Sequence, residues 1–389
     1  MTSSPPAPVV VDAPWLHARA LARGLGSRLP AESIGIRGAD RRILAAPVHA
    51  LTDLPRFDAS AMDGWAVSGA APWTVTGTVH AGDSAPGPLR PGTAMRIATG
   101  APTPAGADAV LRSERGILDG DRLSGPATPD DIRHAGEECR AGELLAEEGT
   151  ELSPALLGLL AAAGHDTVSV TRRPRVALLL LGDELLESGV ARGGLIRDAL
   201  GPQVPAWLAR AGADCSSGVA VPDSFDALCA ALADADGDLV VTTGSTAAGP
   251  RDHLRAAIVA VGGSLVVDQV AVRPGHPMLL ARIGNRPLVA LPGNPQAAVV
   301  ALLTLGFPLV DALLGRPERP LLQVPLAVDV TGRTGQQRLV AGTLGADGFR
   351  LAPLSGSAML RGLAASTGYA LIPAEGARTG ERVDWLALP

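Results

Sequence analysis

The chain has 389 residues, of which 47% are hydrophobic and 19% are charged. It is therefore too apolar to be disordered and long enough for about two to four folded domains. A net charge of −6, with arginine as the only strongly basic residue and no basic run, argues against nucleic acid as the main partner. The three cysteines lack metal-ligand spacing and favour a reducing compartment.

The sequence contains no feature that predicts export or membrane insertion. The N-terminal residues lack both a basic region and an apolar region, so we expect no secretion signal. The uncharged run Ala297–Val310 contains 14 residues and Pro308, which makes it too short to span a bilayer. We expect this run to form a buried core helix in a cytoplasmic protein.

The N-terminal region predicts one helix followed by an acidic motif. Residues 1–12 have the composition of a loose leader, and apolar spacing predicts a helix over Trp15–Leu25. In the segment 53–67, Asp58 and Asp63 flank Ser60 next to a tight turn. These side chains could hold Mg²⁺, and they could equally form a solvated acidic turn.

Residues 66–145 are β-like. Short strands are predicted at Trp73–Val79, Thr93–Ile97 and Ala109–Leu111, between clusters of glycine and proline. A charged turn at 133–140 contributes Glu138 as a further carboxylate. These segments predict a small β-barrel or sandwich, and the next segment predicts a helix over Leu152–Ala163 that is capped by Ser153.

The apolar run Val176–Leu181 is typical of a strand buried on both faces. Gly182 ends the run, and Asp183 and Glu184 open an apolar-periodic segment that we interpret as a helix. A strand, a turn and a helix are the first unit of a doubly wound α/β domain, which binds ligands at the carboxyl ends of its strands. The two carboxylates could alternatively do no more than complement the helix dipole.

Strands and helices alternate after this unit, as in an α/β domain. Strands are predicted at Val219–Val221, Leu239–Thr243, Leu265–Val272 and Leu288–Leu291, and helices at Arg197–Leu208, Phe225–Ala233, Arg251–Val261 and Pro295–Leu305. The turns 243–252 and 291–295 place backbone N–H groups at helix N-termini, where anions bind. Arg273 and His276 lie between them on a proline-rich loop and could supply a permanent and a pH-dependent charge. Together these features predict a crevice for an anionic, nucleotide-like ligand.

From Pro317 onward the composition predicts a separate small β domain. Its predicted strands are Leu322–Val330, Phe349–Leu354 and Gly368–Leu371, and a hydroxyl-rich turn follows at 355–358.

Four motifs, in this order along the chain, resemble those of the molybdopterin molybdenumtransferase family (MoeA and the gephyrin E-domain). They are LPRFDASAMDGWAV (54–67), RIATGAPTPAGADAV (96–110), GDEL (182–185) and LPGNP (291–295). One such turn would be weak support, whereas four with matching order and spacing are strong. The chain is identified as a diverged member of this family over about residues 15–388.

The resemblance implies a multidomain α/β plus β fold. An N-terminal dimerisation domain would comprise 13–53 and 141–172, an inserted β domain 54–140, a doubly wound molybdopterin-binding domain 173–316, and a barrel-like β domain 317–389. It implies a homodimer whose cleft lies between the α/β domain of one subunit and the β domain of the other. It also implies Mg²⁺-dependent insertion of molybdate into adenylylated molybdopterin with release of AMP, and it makes the molybdopterin adenylyltransferase a candidate partner.

The resemblance also assigns candidate site residues. The catalytic positions are Asp63, Glu184, Asp223 and Asp252, and the metal positions are Asp63, Glu138 and Glu184. The ligand-binding positions are Ser60, Gly182, Asp183, Gly244, Ser245, Gly249, Arg273, His276, Pro292, Gly293, Asn294, Arg338 and Ser357.

Several positions that would grip an anion depart from the family pattern. Arg273 and His276 stand where the family has lysines, Ala297 replaces a serine, and Ala341 replaces an arginine for which Arg338 could substitute. An alternative hypothesis is therefore a catalytically weakened paralogue that binds molybdopterin or a nucleotide for storage, regulation or scaffolding.

Overall fold

The computed structural model describes residues 8–84, 86–246, 253–318, 320–354 and 356–389. The chain divides into two compact units, which are treated separately below. The larger unit comprises the residues up to Glu32 together with Thr171–Pro389, and the smaller comprises Ser33–Val170.

The larger unit is built on an eight-stranded sheet in the described part of the chain. Its spatial order is Val10–Ala13, Gly263–Val270, Leu279–Ile283, Arg286–Leu291, Leu239–Thr243, Arg175–Leu181 and Asp214–Cys215, with Val219–Val221 also paired to Arg175–Leu181. Parallel pairing joins 175–181 to 239–243, and 239–243 to 286–291. The carboxyl ends of these three strands therefore lie at one edge of the sheet. This arrangement confirms the predicted α/β fold.

Helices cover the sheet. They are Trp15–Leu25, Leu200–Ala211, Phe225–Asp234, Leu254–Ala260, Pro295–Ala301 and Phe307–Leu314, with a π-helical turn at Leu302–Gly306. The π turn lies where Pro308 cannot donate to the carbonyl of Thr304, so the wider turn accommodates the proline.

The helical segment Pro295–Leu314 is 20 residues long, which is longer than the uncharged run suggested. By length and composition alone it could cross a membrane. However, 83% of its most apolar window is buried inside the protein. That burial is the pattern of a core helix, as the sequence predicted.

The N-terminus differs from the expectation of a loose leader. Val10–Ala13 forms a strand parallel to Gly263–Val270. The helix Trp15–Leu25 forms as predicted, and its Trp15 Nε1 donates to Thr304 Oγ1 at 2.9 Å. Residues 13–32, which were predicted to belong to the dimerisation domain, thus pack with the α/β unit because their apolar face is buried there.

The helix predicted to begin at Asp183 is also absent from the structure. Instead, Leu185–Leu186 pairs with Ile196–Arg197 as a short parallel ladder, and the next helix begins at Leu200. The intervening segment contains three glycines, which disfavour a helix. Asp198 Oδ1 accepts from the amides of Leu200 (2.9 Å) and Gly201 (3.0 Å) and thereby fixes the later helix start.

The C-terminal part of the larger unit is a second sheet. Its order is Val272–Arg273, Gln337–Gly345, Gly368–Ile372, Arg382–Ala387 and Leu322–Pro325, and Gly348–Leu351 pairs with Gln337–Gly345. A parallel bridge between Leu326 and Phe349 joins the sheet's two sides, which gives the predicted barrel-like closure. Smaller elements are the pair Val330–Thr331 with Gly376–Ala377 and the helix Leu360–Ala364.

The smaller unit contains a six-stranded sheet. Its order is Ala109–Arg112, Gly64–Val67, Thr93–Ile97, Trp73–Val79, Arg122–Ser124 and Ile117–Asp119. Short pairs join Ala59–Ser60 to Ile132–Arg133 and Val48–His49 to Leu144–Ala146. The helix Pro154–Ala162 is capped by Ser153, whose Oγ accepts from the amide of Leu156 at 3.2 Å, as the sequence predicted. Strands Ala31–Gly35 and Thr167–Thr171 contain the two boundaries between the units.

Candidate functional site

Three glycine turns meet at the carboxyl edge of the large sheet. In chain order they contain Gly182, Gly244 and the LPGNP motif (291–295). The amide of Gly244 donates to the carbonyl of Leu291 at 2.9 Å, which brings the second and third turns together. Gly244 has φ +79°, and a Cβ there would lie 2.8 Å from the carbonyl oxygen of Leu181, at the end of the first strand. Only glycine fits this approach, so the three turns form one crevice.

On one side of the crevice lies a cavity of ≈ 510 Å³, here called the acidic cavity. Its carboxylates are Glu184, Asp198 and Asp223, and its cation is Arg197. It is also lined by the predicted ligand-binding positions Gly182, Gly244, Ser245, Gly293 and Asn294. The structure therefore brings together Glu184 and Asp223 from the catalytic set with the backbone of all three turns.

Asp183 and Asp223 clamp two strand ends to each other. The amide of Asp223 donates to Asp183 Oδ1 at 3.1 Å, and the amide of Asp183 donates to Asp223 Oδ2 at 3.3 Å. Gly182 lies so close to the carboxylate of Glu184 that a Cβ there would be 2.9 Å from Glu184 Oε2. The first turn is thus shaped around its own acidic side chains.

On the other side of the crevice lies a cavity of ≈ 400 Å³, here called the basic cavity. Its guanidinium groups belong to Arg273, Arg333 and Arg338, and no acidic residue is found among the described residues that line it. Arg273 and Arg338 are register partners on parallel strands. Partial burial and the neighbouring charge of Arg333 lower the pKa of Arg273. Such a cavity suits a small oxyanion.

The LPGNP turn separates the two cavities. Asn294 lines both of them, and Pro292 lines the basic cavity. The first helical turn after it is attached to the C-terminal domain, because the amide of Gln296 donates to the carbonyl of Ser357 at 3.0 Å. Ser357 itself lines the basic cavity, and its predicted role in ligand binding stays a prediction.

His276 does not take the predicted position. It is not among the described residues that line either cavity, and its Nε2 lies 3.1 Å from Asp12 Oδ1. This contact joins the proline-rich loop that carries Arg273 and His276 to the N-terminal strand, where Asp12 has an unusual φ of +51°. Sequence reasoning missed Asp12, since a contact between residues 264 positions apart leaves no local pattern. It also missed Arg333, which lines the cavity with Arg273 only because two strands distant in the sequence pair with each other.

The remaining predicted residues lie in the smaller unit or outside the described chain. Asp63 is exposed, and its Oδ1 accepts from Thr99 N at 2.7 Å and Thr99 Oγ1 at 3.0 Å, which lowers its pKa. Glu138 is also exposed. Ser60 is fully buried and donates to the carbonyl of Met62 at 2.6 Å, so its hydroxyl is engaged within the fold.

Gly249 and Asp252 lie outside the described residues. Within the described part of one chain, no three His, Cys, Asp or Glu side chains cluster as a metal site. The convergence of Asp63, Glu138 and Glu184 on one ion therefore stays a prediction.

Comparison with known proteins gives consistent matches over most of the chain. Residues 15–164 match the model of the MoeA N-terminal region (domains I and II), and residues 177–312 match a probable molybdopterin-binding domain. The chain is 33% identical over 346 residues to molybdopterin molybdenumtransferase 2 of Mycobacterium tuberculosis, covering 83% of this chain and 85% of that one. It is 32% identical to the Synechococcus elongatus molybdopterin molybdenumtransferase, covering 86% and 88%.

A solved structure supports the same assignment. The molybdopterin biosynthesis MoeA protein from Pyrococcus horikoshii superposes with a TM-score of 0.79 at 27% identity. The match covers 98% of this chain and 100% of that one.

The fold and the paired cavities define a multidomain α/β protein with two cavities at the carboxyl ends of its parallel strands. With the matches above, the chain belongs to the molybdopterin molybdenumtransferase family. It is a transferase of molybdenum cofactor biosynthesis.

Proposed function

We propose that this chain inserts molybdate into adenylylated molybdopterin and releases AMP. The observation that carries the proposal is the contact of two cavities of opposite charge at one turn. The basic cavity offers three guanidinium groups to an oxyanion, and the acidic cavity offers carboxylates beside three glycine turns. Asn294 lies between them, where a pterin nucleotide in one cavity would meet an oxyanion in the other.

The residues divide by chemistry. Arg273 and Arg338 would orient molybdate through charge-assisted hydrogen bonds. The backbone amides near Gly244 and Gly293 would hold a phosphate group of the pterin nucleotide. Because these turns are fixed by neighbouring strands, the donors would be preorganised for the negative charge of the substrates.

The acidic cavity also fits Mg²⁺. Its donors are carboxylate oxygens, the ligand type that Mg²⁺ prefers, and Glu184 and Asp223 would hold the ion. When bound, Mg²⁺ would neutralise charge on the pyrophosphate linkage. We propose that Asp63 and Glu138 contribute to the same ion, as the family resemblance implies.

We further propose a cytoplasmic homodimer that receives its substrate from the molybdopterin adenylyltransferase. All three cysteines are free thiols, which fits a reducing compartment. The helix Pro154–Ala162 has only apolar residues and glycine, yet Leu160 is its only buried residue in the described smaller unit. An uncharged, exposed helix face of this kind is typical of an interface.

Reconstitution tests the proposed function directly. Purified protein is mixed with adenylylated molybdopterin, molybdate and Mg²⁺, and AMP is measured by chromatography. We expect molybdate-dependent AMP release that stops when the metal is removed with EDTA. Tight binding of the pterin nucleotide without any AMP release would instead favour the alternative of a storage or scaffold paralogue.

A further inference from the structure

Arg333 is placed in the basic cavity by a tight turn. The amide of Gln336 donates to the carbonyl of Arg333 at 3.0 Å, and Gly335 adopts the φ of +76° that such a turn needs. From the same turn, Gln336 Oε1 accepts from Arg273 Nε at 3.0 Å. The turn thus contacts Arg273 through the uncharged side chain of Gln336. It also places the guanidinium of Arg333 in the same cavity as that of Arg273.

Among the described residues, no carboxylate forms a direct ion pair with the three guanidinium groups of the basic cavity, although the more distant charge of Asp12 acts on Arg273. Arg338 donates to the carbonyl of Thr331 at 2.6 Å, and Arg273 donates to an amide oxygen. Among the described residues, the Arg333 guanidinium makes no hydrogen bond or ion pair with another side chain. Like charges held together repel each other, and an anion between them would relieve that repulsion.

His276 cannot take this role in the observed arrangement. Its Nε2 is directed to Asp12, its side chain is 18% exposed, and it is not among the described residues that line the cavity. The second cation that the sequence placed next to Arg273 is therefore turned away from the cavity. Arg333, in contrast, is among the residues that line the cavity.

We infer that Arg333 is a substrate-binding residue that grips a tetrahedral dianionic oxyanion in the basic cavity together with Arg273 and Arg338. This inference rests on the proposed function, because it takes the basic cavity to be the oxyanion site. Arg333 fulfils the role that the sequence suggested for His276. Its planar guanidinium can donate two parallel hydrogen bonds to two oxygens of the anion.

Calorimetric titration of the full-length protein with sodium molybdate tests the inference. We expect Arg333→Ala to raise the Kd for molybdate about tenfold or more. Arg333→Lys should bind molybdate only partly as well as the wild type, because lysine keeps the positive charge and lacks the planar group that donates two parallel hydrogen bonds. His276→Ala should change the Kd less than Arg333→Ala does.

Arg282→Ala is the matched control. Arg282 is also an exposed arginine, and it lines a separate cavity with Gly24 and Asp238. The Arg282→Ala substitution removes the same charge outside the basic cavity, so the Kd of this variant for molybdate should remain that of the wild type. Circular dichroism and thermal melting establish that each variant is folded.

The outcomes separate the two proposals. Unchanged affinity in Arg333→Ala, with normal binding by the wild type, overturns the role of Arg333 and leaves the proposed function standing. An equal loss in Arg333→Ala and Arg282→Ala reduces the effect to net charge and also overturns it. A wild-type protein that binds no molybdate contradicts the proposed oxyanion site itself.

Discussion

Glu184 is the residue that tests the acidic cavity most cleanly. Its carboxylate is exposed in that cavity and folds back over Gly182. We predict that Glu184→Ala lowers the rate of AMP release about 100-fold or more, a loss typical of removing one electrostatic group from a catalytic site. The melting temperature should change little because no core contact is removed. Glu187→Ala, an exposed glutamate outside the cavity lining, should retain activity; equal losses in both variants would contradict the assignment.

Arg273 and His276 should differ in their effects on molybdate binding. Arg273 lines the basic cavity and stays charged at any physiological pH, so Arg273→Ala should weaken binding at both pH 6 and pH 8. His276 is bound to Asp12 outside the lining, so His276→Ala should leave the pH profile of binding unchanged. Titrations at the two pH values measure this. A flattened profile in His276→Ala would return His276 to the oxyanion site.

Among the structural elements, the strand Leu239–Thr243 depends on the ion pair at its start. Asp238 accepts two hydrogen bonds from the Arg172 guanidinium (2.9 and 2.8 Å) and one from the amide of Arg175 (2.8 Å). Burial by itself would raise the pKa of Asp238, but these hydrogen bonds outweigh it and the pKa is lowered. Asp238→Ala should therefore destabilise the larger unit by about 1.5–3 kcal/mol at pH 7.

The pH dependence of this effect has a definite sign. Because the pKa of Asp238 is lower in the folded state, its contribution is present above the ordinary aspartate pKa, about 3.9. It is lost as the pH falls through the folded value. The difference between wild type and Asp238→Ala should therefore shrink below about pH 4. Calorimetric melts at pH 7 and pH 3 measure it, with Asp236→Ala, 85% exposed, as a control that should change little.

Several short strands of both units were predicted from the sequence with their observed bounds, including Trp73–Val79 and Thr93–Ile97 in the smaller unit. Leu239–Thr243 and Val219–Val221 have the predicted bounds, because a short apolar run between turn residues is itself the local signal. The strand Val10–Ala13 was missed since its pairing partner lies more than 250 residues away. The prediction of a helix from Asp183 was wrong, because it relied on the apolar spacing and ignored the glycines that follow. The structure has the strand Leu185–Leu186 there instead.

At the scale of the whole molecule, motifs indicated the site more completely than periodicity did. The LPGNP and GDEL turns predicted one crevice, and the described turns do meet there. The division of that crevice into an acidic and a basic cavity could not be predicted. It depends on the C-terminal sheet, which brings Arg333 and Arg338 to Arg273 through a parallel pairing that only the tertiary structure forms.

The proposed dimer is tested on the helix Pro154–Ala162. Ala161 is exposed on it, so Ala161→Glu places a charge on the proposed interface without disturbing the core. We predict a shift from dimer to monomer and a loss of AMP release, since the implied cleft is shared between subunits. Light scattering measures the mass, with Ala70→Glu, an exposed turn position, as the control. A wild-type protein that is monomeric and fully active would refute the dimer.

The central claim is that the two cavities hold different substrates of one reaction. The most direct measurement is AMP release as a function of molybdate concentration, combined with separate binding titrations, for the wild type, Arg273→Ala and Glu184→Ala. The account predicts that both variants lose molybdate-dependent AMP release. Arg273→Ala should still bind adenylylated molybdopterin, and Glu184→Ala should still bind molybdate. Loss of both ligands in either variant, or undiminished AMP release in Arg273→Ala, would contradict it.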